Sequence, residues 1–334
     1  MKKVALVGAG ERTKNYNLPI LNQMKDKIEI VGVTTKSGKV TPGCGLDGVP
    51  VFSSVTEMTE KTSPDVVVVS IKSSAVSEIL DELLVLDTTI LLETTDDFEV
   101  YSKIEQQAAG KIGILEQWPF LPLEQLKKKA LDSGALGRIT MVENNFRTYD
   151  YHGSAQIRNY LSAKTNIASL KGVTNIYGSE SFVNSSGKTV EPSTERVRIK
   201  TGIFHDGTLL IYKYSDSHKK MPFRGHSTLN VYGTKGSIVA GCLAGEYWDM
   251  NVLDSESDTT HNVEVQKEYE GEEIKKLTIS LPGGLGDVVW ENKYTGLSEY
   301  QLATAYLFEE MLVNENIIYD VDDAIQDMII AYTQ

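Results

Sequence analysis

Val4-Ala5-Leu6-Val7 runs straight into Gly8-Ala9-Gly10, an apolar stretch ending in two glycines one residue apart. In a strand-turn-helix setting such a pair cradles a pyrophosphate. The first glycine makes the tight turn, the second lets backbone approach the phosphates, and a third lets helix and strand pack closely. Thr13 stands at the third position, so the match is partial, and Glu11, Arg12 and Thr13 open the helix expected next. An NAD-selective site carries an acidic residue about 20 residues past the glycines for the ribose 2′-hydroxyl; this chain reads Thr34-Thr35-Lys36-Ser37 there. With no carboxylate to repel a 2′-phosphate, and with Thr35, Lys36 and Ser37 able to hold one, the expected cofactor is NADP(H) in preference to NAD(H). Ser70 and Lys72 follow a later apolar run, at the carboxyl edge where dinucleotide ribose and nicotinamide lie in doubly wound folds.

Positioning these residues requires a parallel sheet. Residues 4–7, 28–33, 66–71, 89–92 and 112–115 are β-branched or leucine-rich and nearly continuous, as strands buried on both faces are. Between them lie segments with helical spacing, such as Val76, Ile79, Leu80, Leu83 and Leu84. Strand and helix in alternation predict an α/β Rossmann dinucleotide-binding domain over residues 1–120. From Gly137 the pattern changes. Residues 139–146, 173–182, 196–204, 208–214, 227–232 and 237–240 alternate apolar with polar and are joined by turns such as His205-Asp206-Gly207. One helix is expected over 152–161 and another over 299–314, with an exposed hairpin or loop over 254–273. The second domain, 121–334, is thus expected to be α+β with an open, mostly antiparallel sheet, its last helices able to pack back on the first.

Composition narrows the partners. The chain has 334 residues, 33 Lys and Arg against 46 Asp and Glu, and a formal charge of −13. That surface repels phosphate backbones and anionic lipid, so neither nucleic acid nor a membrane is an expected partner. Cys44 and Cys242 stand far apart and outside any CxxC, which predicts a reducing compartment and no structural zinc. The N-terminal apolar run stops at Gly8 and is followed by Glu11, Arg12 and Lys14, so no signal peptide is expected and the protein is expected in the cytoplasm. His205, His218, His226 and His261 lack ligand spacing with Asp, Glu or Cys, so no metal is expected. The stretch from Lys213 to Lys220, with Arg224 and His226, concentrates positive charge and could hold a carboxylate or phosphate, or be a solvated loop.

Read in order, Val7-Gly8-Ala9-Gly10, Val67 to Ser73, Leu91-Leu92-Glu93-Thr94-Thr95, Pro119-Phe120-Leu121-Pro122, Ser133-Gly134-Ala135-Leu136-Gly137, Phe204-His205-Asp206-Gly207-Thr208 and Val231 to Ser237 form a sequence of motifs. In order and spacing they resemble the Gfo/Idh/MocA family of oxidoreductases over nearly the whole chain. The resemblance implies a Rossmann domain followed by an open-sheet domain, association into a homodimer or homotetramer through that sheet, and hydride exchange between NAD(P) and a small metabolite. It places Glu93 near the nicotinamide ribose, and it puts Thr94 where the family has its proton-transferring lysine and Thr95 where it has proline. Thr148 falls on the family's motif aspartate and His152 on its histidine. Trp118 and Arg158 are assigned to the substrate.

What remains for proton transfer is Tyr149, Tyr151 and His152. A histidine titrates near neutral pH, and a tyrosine can donate to a developing alkoxide or amine. The expected activity is an NADP(H)-dependent reductase of a small carbonyl or imine, with Thr94 only a hydrogen-bond donor. The alternatives are a sugar or cyclitol dehydrogenase with His152 alone as base, and a nucleotide-binding sensor or partner subunit without catalysis.

Overall fold

In a computed structural model the chain forms two compact units, one of Met1–Phe120 with Lys293–Ile325, the other of Leu121–Asn292 with Gln326–Gln334. The structure describes all residues except 109, 148–149, 162–164, 179, 184–187, 193, 216–226, 255 and 334.

The first unit holds the strands β1 (Lys2–Val7), β2 (Ile28–Thr34), β3 (Val51–Phe52), β4 (Val66–Val69), β5 (Thr89–Glu93) and β6 (Ile112–Leu115). They pair in parallel in the order β3-β2-β1-β4-β5-β6. Val66 to Val69 are all buried, as are Val4 to Val7, which is what a strand covered on both faces requires. Around the sheet run α1 (Leu18–Gln23), α2 (Val55–Thr62), α3 (Ser73–Leu84) and α4 (Phe98–Ala108). Ser54 caps α2 by accepting the Glu57 N–H at 3.1 Å. The strand expected over 66–71 ends at Val69: Ser70 N–H still reaches the Val7 carbonyl at 2.8 Å, and the chain then turns into α3.

The second unit opens with α5 (Pro122–Asp132), whose proline sits in the first turn, where its missing N–H is of no consequence. It continues with β7 (Ile139–Asn145), α6 (Asp150–Asn159), β8 (Ile167–Gly178), a two-stranded hairpin of β9 (Phe182–Val183) and β10 (Thr189–Val190), β11 (Thr194–Phe204) and β12 (Leu209–Ser215). Then follow β13 (Thr228–Gly233), β14 (Gly236–Ala240), β15 (Trp248–Asp254) and β16 (Thr259–Asn262). Eight of these strands form one sheet, β16-β15-β14-β13-β7-β12-β11-β8, antiparallel except for the β7/β12 pair. A separate three-stranded sheet of β17 (Gln266–Glu270), β18 (Glu273–Leu281) and β19 (Gly286–Glu291) packs on α5, while α6 packs on β7 and β13. Residues 254–273, expected as an exposed hairpin or loop, supply β16, which folds back on β15, and β17, which pairs with β18, both antiparallel. Both strands are almost entirely exposed, so no burial pattern marked them.

The end of the chain was expected to be able to pack back on the first domain. Lys293–Ile325 belongs to the first unit, where α7 (Glu299–Leu307) is started by a Ser298/Gln301 capping box. Aromatic contacts fix it there: Tyr300 meets Trp118 edge to face at 5.2 Å, and Tyr306 stacks on Phe120 at 5.4 Å. Tyr319 accepts the Ile114 N–H at 2.9 Å, which continues the sheet beyond β6. A last helix not anticipated from the sequence, α8 (Val321–Tyr332), ends the chain.

Candidate functional site

In the first unit, strand order reverses between β1 and β4, and the turn after β1 lies at this switch point, where open α/β sheets take their ligands. Gly8 has φ +100°, and a Cβ there would stand 2.5 Å from the Ser70 carbonyl oxygen. Gly10 is different, with nothing within 4 Å of where its Cβ would be. The pair thus makes one turn only glycine can make and one backbone position open to a close-lying ligand, which fits a dinucleotide pyrophosphate. Thr13, at the third glycine position, is buried and donates its hydroxyl to the Gly8 carbonyl at 2.9 Å, so it buttresses the turn. The next turn, Thr13–Asn17, is π-helical. Pro19, two residues on, has no N–H for the carbonyl four residues back, and the wider turn accommodates it.

Arg12 is held from several sides. Its Nε donates to Glu93 at 2.8 Å and its Nη2 to Gln117 at 3.2 Å, while the guanidinium lies 4.5 Å from the centre of the Tyr16 ring. Burial pushes the Glu93 carboxyl above the usual carboxylate range, against the pull of Arg12. Glu11 accepts from the Asn15 amide at 2.6 Å, and Asn17 donates to the Ser70 hydroxyl at 2.7 Å. Lys72 is exposed at the N-cap of α3. Beyond β2, the Thr35 and Ser37 hydroxyls both donate to the Lys39 carbonyl, at 2.9 and 3.2 Å, and Lys36 Nζ lies 3.2 Å from Glu78 on α3. Thr94 is half-buried at the end of β5; Thr95 is buried, and its N–H donates to the Tyr101 hydroxyl at 2.9 Å. Trp118 is half-buried, and its backbone N–H donates to Glu116 at 3.0 Å.

In the second unit, α6 carries His152, which is buried with its ring 4.2 Å from the Tyr151 ring. The start of this helix is held by Asp150, which is ion-paired with Arg198 and whose carbonyl accepts from the Tyr212 hydroxyl. Arg158, expected at the substrate, donates to Asp327 at 3.1 Å in a buried ion pair, a partner 169 residues away that the sequence did not reveal. Thr148 and Tyr149 lie outside the described residues, as does most of the basic stretch from Lys213 onward, including His218, Arg224 and His226. Lys213 itself donates to Glu143 at 2.6 Å.

A buried polar cluster was not foreseen. Lys127 Nζ donates to Glu124 at 2.7 Å, to the Gly241 carbonyl at 2.6 Å and to the Tyr160 hydroxyl at 3.3 Å, and the Tyr160 hydroxyl also meets Glu124. Arg147 donates to Cys242 Sγ at 2.9 Å and to Glu246 at 2.7 Å, and burial pushes the Cys242 thiol up to about 12. Buried charges of this kind need partners, which come from four separate segments here. The only hint in sequence was the three-residue spacing of Glu124 and Lys127. A small cavity of about 230 Å³ lies beside Tyr160, bounded by Leu131, Arg138, Ile139, Asp206 and Thr208. Among the described residues no group of three or more His, Cys, Asp or Glu is placed to hold a metal ion, and no helix is long and apolar enough to cross a membrane.

The sequence pattern of a CoA binding domain matches residues 2–112. YteT of Bacillus subtilis, whose own oxidoreductase assignment is provisional, is 23% identical over 173 residues; the match takes in 48% of this chain and 40% of that protein, so the chain is aligned with less than half the length of this curated relative. Among solved structures, a levoglucosan dehydrogenase in complex with NADH and levoglucosan superposes with a TM-score of 0.64 at 15% identity, covering 99% of this chain and 95% of that one. The transcriptional regulator Gal80p of Kluyveromyces lactis does so with a TM-score of 0.64 at 13% identity, covering 98% and 89%. These likenesses establish the fold class, a Rossmann-type parallel-sheet domain with a second, mostly antiparallel-sheet domain, as in Gfo/Idh/MocA-type oxidoreductase structures. Enzyme and regulator share it, so the fold by itself names no reaction.

Proposed function

We propose that the chain is a nicotinamide-dinucleotide-dependent oxidoreductase that reduces a small carbonyl or imine. The observation that carries this reading is the turn after β1, with Gly8 seated where no Cβ would fit beside the Ser70 carbonyl and Gly10 open, at the switch point of a parallel sheet. Gly8, Gly10 and the first helical residues, Glu11, Arg12 and Thr13, would hold the pyrophosphate; Ser70, Lys72 and Glu93 would hold the nicotinamide half. Lys36 makes NADP(H) the better fit of the two, because no carboxylate follows β2 in sequence. The dinucleotide, when bound, gives the hydride. His152 supplies the product proton, Tyr149 and Tyr151 assist it, Thr94 contributes a hydrogen bond only, and Trp118 serves the substrate side, whereas Arg158 is committed to its buried pair with Asp327. A protonated imine asks less of a protein acid, which suits a chain with Thr94 where the resembled family has lysine. The fold shared with levoglucosan dehydrogenase supports a sugar or cyclitol as the other substrate class, with His152 alone as base.

The fold shared with Gal80p, together with Thr94, favours a second reading, a dinucleotide-binding regulator without turnover. For either reading we place the protein in the cytoplasm, where its two free, buried cysteines stay reduced. We also assign the open face of the eight-stranded sheet to self-association, as a homodimer or homotetramer.

Titrating the protein with NADPH, NADH and coenzyme A, then adding a panel of sugars, keto acids and cyclic imines, tests the proposal. Binding of a nicotinamide dinucleotide with oxidation by one class of substrate is expected. His152→Phe is expected to lower turnover about 100-fold, the contribution of one positioned acid, and to leave dinucleotide affinity unchanged. Binding without turnover across the panel would establish the regulator, and binding of coenzyme A alone would overturn both readings.

A further inference from the structure

The residues after β2 contain no carboxylate, yet the structure brings one to them. Glu78, in the second turn of α3, lies with its carboxylate 3.2 Å from Lys36 Nζ. The two are 42 positions apart, and β2 and β4, from which the two segments continue, flank β1 on either side. The rest of the loop is committed elsewhere. The Thr35 and Ser37 hydroxyls both donate to the Lys39 carbonyl, and Lys39 N–H returns a bond to Thr35 Oγ1 at 3.0 Å. A phosphate monoester only accepts hydrogen bonds, so of the side chains expected to hold it, Lys36 alone keeps its donors available, and Glu78 already draws on them.

We infer that Glu78 is a specificity-determining residue for the ribose end of the dinucleotide, an inference that rests on the dinucleotide reading above. Its carboxylate competes for Lys36 and repels the nearly doubly charged 2′-phosphate of NADP(H), whereas a free 2′-hydroxyl can donate to it. The acidic group that NAD-selective sites carry at the end of the second strand thus arrives from α3. The preference Lys36 gives to NADP(H) is held down by Glu78, and the chain accepts both dinucleotides. Lys36 is 91% exposed and Glu78 59%, so solvent screens their interaction and the discrimination at stake is modest.

The test is equilibrium binding of NADPH and NADH to the wild type, Glu78→Gln, Lys36→Ala and the double variant, at low and high salt. Glu78→Gln is expected to tighten NADPH about threefold at low salt, the scale of one charge contact at an exposed site, and to leave NADH unchanged or slightly weakened. The gain should shrink at high salt and, measured against Lys36→Ala, be smaller in the double variant, where release of Lys36 no longer contributes and only the lost repulsion remains. Equal changes for the two dinucleotides, or none for either, would overturn the role of Glu78 while leaving the dinucleotide reading intact. Failure of the wild type and every variant to bind either one would overturn that reading and this inference with it.

Discussion

Lys200 shows how much chemistry a single residue can hide in a strand. It is 3% exposed on β11, and its Nζ donates to the carbonyls of Ile330, at 2.8 Å, and Ala331 in the last turn of α8. A cation is well placed at a helix C-terminus, but burial moves its pKa down to about 8, with Asp150 opposing the shift and Arg198 adding to it. The unfolded chain therefore binds this proton below the ordinary lysine value near 10.5, whereas the folded chain binds it only below about 8. Between those values the unfolded state carries more protons, so the Lys200 contribution to stability rises with pH across that window and is flat below it. Urea unfolding of the wild type and Lys200→Met from pH 7 to 10 should show their stability difference level below pH 8. Above it, the difference should grow in favour of the wild type by up to about 1.4 kcal/mol per pH unit. A difference that stays constant to pH 10 would contradict this. In sequence Lys200 is one lysine in an alternating strand, with nothing to separate it from its exposed neighbours.

At the level of elements, the turn between β1 and α1 gives two glycines with opposite expected behaviour. Gly8→Ala forces a Cβ against the Ser70 carbonyl in a backbone conformation that L residues avoid, and should cost about 2–4 kcal/mol from strain and clash together. Gly10→Ala meets no atom within 4 Å, so stability should stay within about 0.5 kcal/mol of the wild type. Nucleotide binding should nevertheless fall, because the new methyl occupies the space reserved for the pyrophosphate. Thermal unfolding and NADPH titration of the two variants separate fold from function. Undiminished binding by Gly10→Ala would remove the argument that this turn is a cradle. The β1 run and its glycine pair were legible because a doubly buried strand and a tight turn each leave a local mark. The π-helical turn was not, since Thr13 and Pro19 act through spacing along a helix whose existence had first to be known. β16 and β17 escaped because exposed edge strands carry no apolar alternation, and α8 was missed although Val321, Ala324, Ile325 and Met328 have helical spacing and are buried.

For the molecule as a whole, the eight-stranded sheet leaves one face open. Val173 is 70% exposed and stands opposite Ile199, which is 41% exposed, and Leu209, 51% exposed, stands opposite Ile203. Side chains directly across antiparallel strands share a face. These two exposed apolar pairs, with Thr201 between them on β11, fit the self-association proposed above, in which one face pairs with its own copy about a two-fold axis. Ile199→Glu should then shift the protein from an oligomer to a monomer by light scattering after gel filtration, without loss of the fold by circular dichroism. A wild type already monomeric at micromolar concentration would refute the assignment.

The sequence by itself determined the α/β domain, the antiparallel domain after it and the glycine turn that follows β1. Each of these is written in local periodicity or in a glycine that its own backbone requires. It could not reveal that Glu78 reaches Lys36, that Arg158 is held by Asp327, or that Glu124, Lys127 and Tyr160 share a buried cluster. Those facts depend on pairing between residues far apart along the chain. An isolated charge shows no partner until folding brings the partner within hydrogen-bond reach, and only then do burial and Coulomb interaction fix what the residue does.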